Sequence, residues 1–145
     1  MKTFKFFTVL AISLIITSCN SQDKNRITTS DKSISKIEVV DFHSTHRCMT
    51  CNAIEANTKY TLETYFAPEL KEEKITFKVI NVDEKENEKI AEKFEAAGTA
   101  LFLNVIKNGK ETQIDLTDFA FMYGNDKEAF SKELKAKIET ELKVL

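Results

Sequence analysis

Residues 37–51 read Ile37-Glu38-Val39-Val40-Asp41-Phe42-His43-Ser44-Thr45-His46-Arg47-Cys48-Met49-Thr50-Cys51. The first six are β-branched or aromatic apart from Glu38 and Asp41, which predicts a short buried strand. A loop follows, and then two cysteines stand three apart. From there apolar or small residues recur at spacing four, at Ile54, Thr58, Leu62 and Phe66, with Tyr65 beside them. That spacing predicts a helix over 49–66, closed by Pro68. The thiol pair therefore lies just after a strand and at the start of a helix. In open α/β sheets that is where ligands and chemistry sit.

Farther along, Ile75, Phe77 and Val79 alternate and Ile80 and Val82 continue, predicting a second strand that stops at Asp83. Residues 84–97 carry Ile90, Ala91, Phe94 and Ala97 at spacings of three and four, a second helix with Gly98 as its expected C-cap. Ala100 to Lys107 reads as a third strand. Asn108-Gly109 is the strongest hairpin signal in the chain, and Lys110 to Leu116 returns as a fourth strand. Asp126 is placed to cap a last helix with Phe130, Leu134, Ile138 and Leu142 on one stripe. Before it, Phe119, Phe121, Met122 and Tyr123 form an apolar cluster, read as core packing, with partner docking as the other use. The order β-α-β-α-β-β-α predicts an α/β domain: a mixed sheet of about four strands with helices on both faces.

The N-terminal end reads differently. Met1 to Lys5 carries Lys2 and Lys5, and Phe6 to Ile16 is apolar apart from Thr8 and Ser13. A basic end before so short an apolar run is a secretory signal and not a membrane span. Ile16-Thr17-Ser18-Cys19 then resembles a bacterial lipobox, in which Cys19 is lipidated and becomes the mature N-terminus. The expected organisation is a lipoprotein signal over 1–18, the lipidated Cys19 with a polar tether over 19–36, and one domain over 37–145. Diacylglycerol and an amide-linked acyl chain together give stable anchorage. The expected location is the bacterial cell envelope, facing the periplasm or exterior. Loss of 1–18 leaves 19 basic against 23 acidic residues, a net charge of −4. With basic residues scattered along the chain, no nucleic-acid footprint is present.

Redox chemistry needs one ionised thiol and a second to resolve a mixed disulfide. Cys48 would face the unpaired N–H groups of the helix start, and His46 and Arg47 add positive charge beside it. Cys48 is thus the expected nucleophile, Cys51 the resolving thiol, and the dithiol itself the only redox group required. Asp41 could be a buried proton acceptor for Cys51 or a solvated strand-end acid; His46 could modulate Cys48 or be a bystander. An inert stabilising disulfide is a second reading of the pair. A third is a zinc or copper module built from His43, His46, Cys48 and Cys51. Asn52 stands where c-type haem attachment needs His, which excludes that cofactor.

The element order and the Cys-x-x-Cys position resemble the thioredoxin fold. Val39-Val40-Asp41-Phe42 is similar to its first active-site strand, Asn81-Val82-Asp83 to the end of the next, and Lys107-Asn108-Gly109 to its hairpin turn. More narrowly, Thr45-His46-Arg47-Cys48-Met49-Thr50-Cys51 resembles the small lipoproteins of the ArsF-type nitrophenyl nitroreductase subunit group. That resemblance implies a thiol–disulfide or redox-accessory role with a protein thiol or disulfide partner, fed by a membrane electron conduit of the DsbD or CcdA kind. No phosphate-cradling glycine loop exists to hold a flavin. Departures from thioredoxin are specific. Arg47 replaces Trp before the first cysteine, Met49-Thr50 replaces Gly-Pro, and Asp41 lies one residue farther from Cys48. The lysine that pairs with the buried acid falls near Val79, with Lys78 one position off and on the other face. The cis-proline opposite the cysteines is absent, and Thr99 and Ala100 stand in its substrate-facing loop. That loss favours a dedicated partner over broad substrate use.

Overall fold

The computed structural model describes residues 35–145. The signal segment, Cys19 and the tether up to residue 34 lie outside the described residues. β1 (Lys36–His43) leads to α1 (Met49–Tyr65), a short α2 (Ala67–Lys71) and β2 (Ile75–Asn81). A 3₁₀ turn (Lys85–Asn87), α3 (Glu88–Lys93), β3 (Ala100–Lys107), β4 (Lys110–Asp115), α4 (Thr117–Tyr123) and α5 (Lys127–Leu142) complete the domain. The sheet order is β2-β1-β3-β4. β1 is parallel to β2 and antiparallel to β3, and β3 is antiparallel to β4. A mixed four-stranded sheet in this order, with a helix crossover between its parallel strands and helices on both faces, is the thioredoxin-like fold.

β1 is central, and its side chains alternate between two cores because strand residues point to opposite faces. Ile37 and Val39 face α1 and α5, packing with Ile54, Leu62, Phe130, Leu134 and Ile138. Val40 and Phe42 face the other way, toward Ile80, Phe94 and Phe102. There Phe42, Phe94 and Phe102 form a ring trio with centroids 5.2–5.9 Å apart and two edge-on pairs, a geometry favoured by aromatic quadrupoles. Period two also places Asp41 on the α1 face. It is fully buried.

Beyond the trio this second face is closed by charge. Glu38 accepts from Lys36 (2.8 Å), Lys78 (3.0 Å) and Asn104 (3.0 Å). Burial raises the Glu38 pKa, but the bonds from Lys36, Lys78 and Asn104 outweigh it and bring the group to about 2. Lys78 thus sits on the face opposite Asp41, as the register implies.

Several boundaries depart from expectation. The helix expected over 84–97 is confined to Glu88–Lys93, and Gly98 is not its cap. The chain turns at Glu95, with φ of 53°. Ala96 N–H bonds Ala91 O (2.9 Å) and Glu95 N–H bonds Glu92 O (3.0 Å). That pair of bonds is a Schellman end, closed here by glutamate where glycine is commoner. The stretch 117–123, an apolar cluster in sequence, folds as a helix, α4. Phe119 and Tyr123 pack against the core, with Phe119 5.0 Å from Phe130, whereas Phe121 and Met122 are exposed. Pro68 lies in the first turn of α2, where its missing N–H costs nothing. Asn108 and Gly109 have φ of 52° and 76°, the left-handed pair a tight hairpin requires. Asp126 caps α5 by accepting from Ala129 N–H.

Gly124 joins the last two helices to the cysteine helix. A Cβ there would lie 2.7 Å from Ala120 O and 3.0 Å from both Ile54 Cγ1 and Thr50 Cγ2. Its carbonyl accepts from Asn57 Nδ2 at 2.9 Å, and Asn125 Nδ2 reaches Thr50 Oγ1 at 3.1 Å. Gly124→Ala is therefore expected to destabilise the domain by about 1–3 kcal/mol, the usual cost of overpacking a tight contact. Urea unfolding should show a lower midpoint at an unchanged slope; an unchanged midpoint would show that this contact is slack.

Candidate active site

The loop between β1 and α1 is latched at its base. Thr45 N–H donates to Asp83 Oδ2 (2.7 Å), and Asn81 Nδ2 reaches Thr45 Oγ1 (3.1 Å). The Thr45 bonds hold the Asp83 carboxylate below its ordinary pKa, and His46 and His43 add to this. His46 is exposed, and its charge acts on Asp83. His43 Nδ1 lies 2.9 Å from Ser44 O.

Cys48 is the N-cap of α1, in extended conformation, and its sulfur accepts from Cys51 N–H at 3.0 Å. A sulfur in that position occupies the place of a capping oxygen and takes up an orphan helix donor. The same donor stabilises a thiolate there. Cys48 is exposed, whereas Cys51 retains only 7% exposure. The two are joined by a disulfide. An incoming sulfur can therefore reach Cys48 and not Cys51, the asymmetry a nucleophile and a resolving thiol require.

Arg47 turns inward under the helix. Its Nη1 binds Glu55 Oε2, and its Nη2 donates to Cys51 O at 3.2 Å. The same Nη2 lies 3.8 Å from Asp41 Oδ2, an ion-pair separation longer than a hydrogen bond. Both Asp41 oxygens lack a hydrogen-bond partner among the described residues. Burial therefore dominates and raises the Asp41 pKa to about 7; Arg47 pulls it down and Glu55 pushes it up. Arg47 thus approaches Asp41 from the α1 side, which Lys78, bonded to Glu38 on the opposite face, does not reach.

Glu55 was not singled out from the sequence. Nothing in a single acid on a predicted helix marks it as the partner of a loop arginine eight residues earlier. Thr99 and Ala100 are half-buried at the start of β3, where Ala100 pairs with Phe42. A Cβ on Gly98 would lie 3.7 Å from Ser44 Oγ, so this loop abuts the loop that leads to Cys48. An open groove of about 590 Å³ runs along Gly98, Thr99 and Ala100 to Asp115 and Thr117; neither cysteine lines it. Among the described residues no three His, Cys, Asp or Glu side chains converge as a metal site needs. Of His43, His46, Cys48 and Cys51, the two cysteines are joined to each other, and the four do not form such a group.

No protein-family model matches the chain, and no curated protein matches it. Solved structures of thioredoxins do align with it. Thioredoxin from Fasciola hepatica is 22% identical over 73% of this chain and 81% of its own, with a TM-score of 0.45. Thioredoxin NaTrxh from Nicotiana alata is 26% identical over 77% and 78%, with a TM-score of 0.46. Mitochondrial thioredoxin 3 from Saccharomyces cerevisiae is 21% identical over 63% and 78%, with a TM-score of 0.41. The fold assignment rests on strand order and helix placement. A thioredoxin-like fold with a Cys-x-x-Cys pair at this position supports thiol–disulfide exchange.

The buried acid makes a pH prediction. A carboxyl whose folded pKa lies above its unfolded value contributes stability that is complete below the unfolded value and lost as pH rises through the folded one. For Asp41 that window runs from the ordinary carboxyl value of 3.8 up to about 7. Asp41→Asn should therefore stabilise the oxidised protein near pH 8 by on the order of 3 kcal/mol. The advantage should fade as pH falls and vanish below about pH 4. A pH-independent difference in denaturant midpoint would contradict the assignment.

Proposed function

We propose that this chain is a membrane-anchored, extracytoplasmic thiol–disulfide exchange protein. The observation that carries the reading is the pairing of an exposed, helix-capping Cys48 with a buried Cys51 at the C-terminal end of the central strand. Cys48 thiolate attacks a partner disulfide and forms a mixed disulfide, expelling one partner thiolate. Cys51 loses its proton to Asp41 and attacks Cys48 Sγ. The Cys48–Cys51 disulfide forms, and the second partner thiolate leaves. Two electrons pass from the dithiol to the partner, and the reverse sequence oxidises it. The dithiol serves as the redox group throughout.

Lipidated Cys19 anchors the protein in the envelope, facing the periplasm or exterior. Its partner is a dedicated protein thiol or disulfide, because Thr99-Ala100 replaces the proline that shapes a general substrate-pairing loop. A DsbD- or CcdA-like conduit supplies or removes the electrons. The Thr45–Cys51 string supports a role like that of the ArsF-type subunits, as a redox accessory.

Equilibration with glutathione redox buffers tests this reading. The pair should titrate as one two-electron couple between about −120 and −270 mV, the span of thiol oxidoreductases. A potential below about −300 mV would make it a structural disulfide.

A further inference from the structure

The Arg47 guanidinium sits among three oxygens. It binds Glu55 Oε2 through Nη1, meets Cys51 O through Nη2 at 3.2 Å, and comes no closer than 3.8 Å to Asp41. Glu55 lies at the rim, with its side chain 31% exposed, while Asp41 is fully enclosed. Two acids thus share one cation, and the outer acid holds the hydrogen bond. The charged groups that act on Asp41 are Arg47, from the loop, and Glu55, from α1. Its neighbours across the sheet are Val79 on β2 and Leu101 on β3, both apolar.

We propose that Glu55 is a positioning residue of the redox site. By holding the Arg47 guanidinium it leaves the buried Asp41 carboxyl without a full counter-ion, so that Asp41 can carry the proton released by Cys51. This rests on the thiol-exchange reading above. While Cys51 is a thiol, Asp41 accepts its proton as Cys51 attacks Cys48; in the resulting disulfide form Asp41 is the neutral acid that its enclosure favours. The balance is one proton moved from Cys51 Sγ to Asp41, one sulfur–sulfur bond formed and one broken. Arginine remains cationic throughout, so Arg47 is the fixed charge and Glu55 decides how much of it Asp41 receives.

The two neighbours should act in opposite directions, which a merely structural role would not produce. Losing the Glu55 charge hands Arg47 to Asp41, which then ionises at lower pH. Losing the Arg47 charge does the reverse. The experiment uses the full chain in detergent, with Cys48 loaded with glutathione at low pH and then jumped to a series of higher pH values. Glutathione release reports the attack of Cys51.

In Glu55→Gln the midpoint of the rate profile should fall by about one pH unit, a tenfold gain on the acid limb. In Arg47→Gln it should rise by a similar amount, and Arg47→Lys should restore part of the shift. Asp41→Asn should remove this limb, and adding Glu55→Gln to it should produce no further shift. Carboxyl ¹³C titration of Asp41 in the same variants keeps the test open should any of them release glutathione too slowly to follow. Release with the same midpoint in Glu55→Gln as in the unsubstituted protein, or an unmoved Asp41 titration, overturns the role of Glu55. Absence of release from the unsubstituted protein overturns the exchange reading itself, and this role with it.

Discussion

A carboxyl group held out of water without a hydrogen bond is expensive to ionise, and Asp41 is held that way by its position on the central strand. β1 is bonded on both edges, to β2 and to β3, so its alternation cannot slip without turning every buried side chain to the wrong face. The register that buries Ile37 and Val39 under α1 also commits Asp41 to that side. The same strand ends at His43, five residues before the cap of α1. Burial of the acid and placement of the disulfide are thus consequences of one strand.

The helix end supplies the complementary half. Cys48 caps α1 with its sulfur, accepting the Cys51 N–H, and stays open to solvent. Cys51, one turn in, is covered. Arg47 precedes the cap but points under it, so its charge serves the buried acid and Glu55 and is not simply added to Cys48. The outer sulfur is set by the helix donor and by access, the inner one by its burial. Gly124 and Asn125 hold the first turns of α1 from the other side, which ties the C-terminal helices to the same site.

Much of this was legible from residues alone, where a pattern is local. The strand run 37–42, the stripe Ile54, Thr58, Leu62 and Phe66, the turn Asn108-Gly109 and the cap Asp126 each depend on neighbours within a few residues. The position of the cysteine pair followed from them. The failures are where distant contacts decide. Glu95 takes a left-handed conformation because Schellman bonds and the Phe94 contacts hold it, so Gly98 was the wrong cap. α4 is a single short helix whose apolar residues do not fall on one face; Phe121 and Met122 are exposed, which hides its period. The direction of Arg47 is not legible for a like reason: sequence places it beside Cys48, and its bonds to Glu55 and Cys51 O turn it inward.

The central claim is that Cys48 is the sulfur that meets the partner and Cys51 the one that releases it. The most direct measurement is mass spectrometry of disulfide-linked species captured on the full chain in membranes of cells that make it. Cys51→Ser should accumulate a mixed disulfide through Cys48, while Cys48→Ser should accumulate far less. Equal capture by both variants, or capture chiefly through Cys51, would contradict the account.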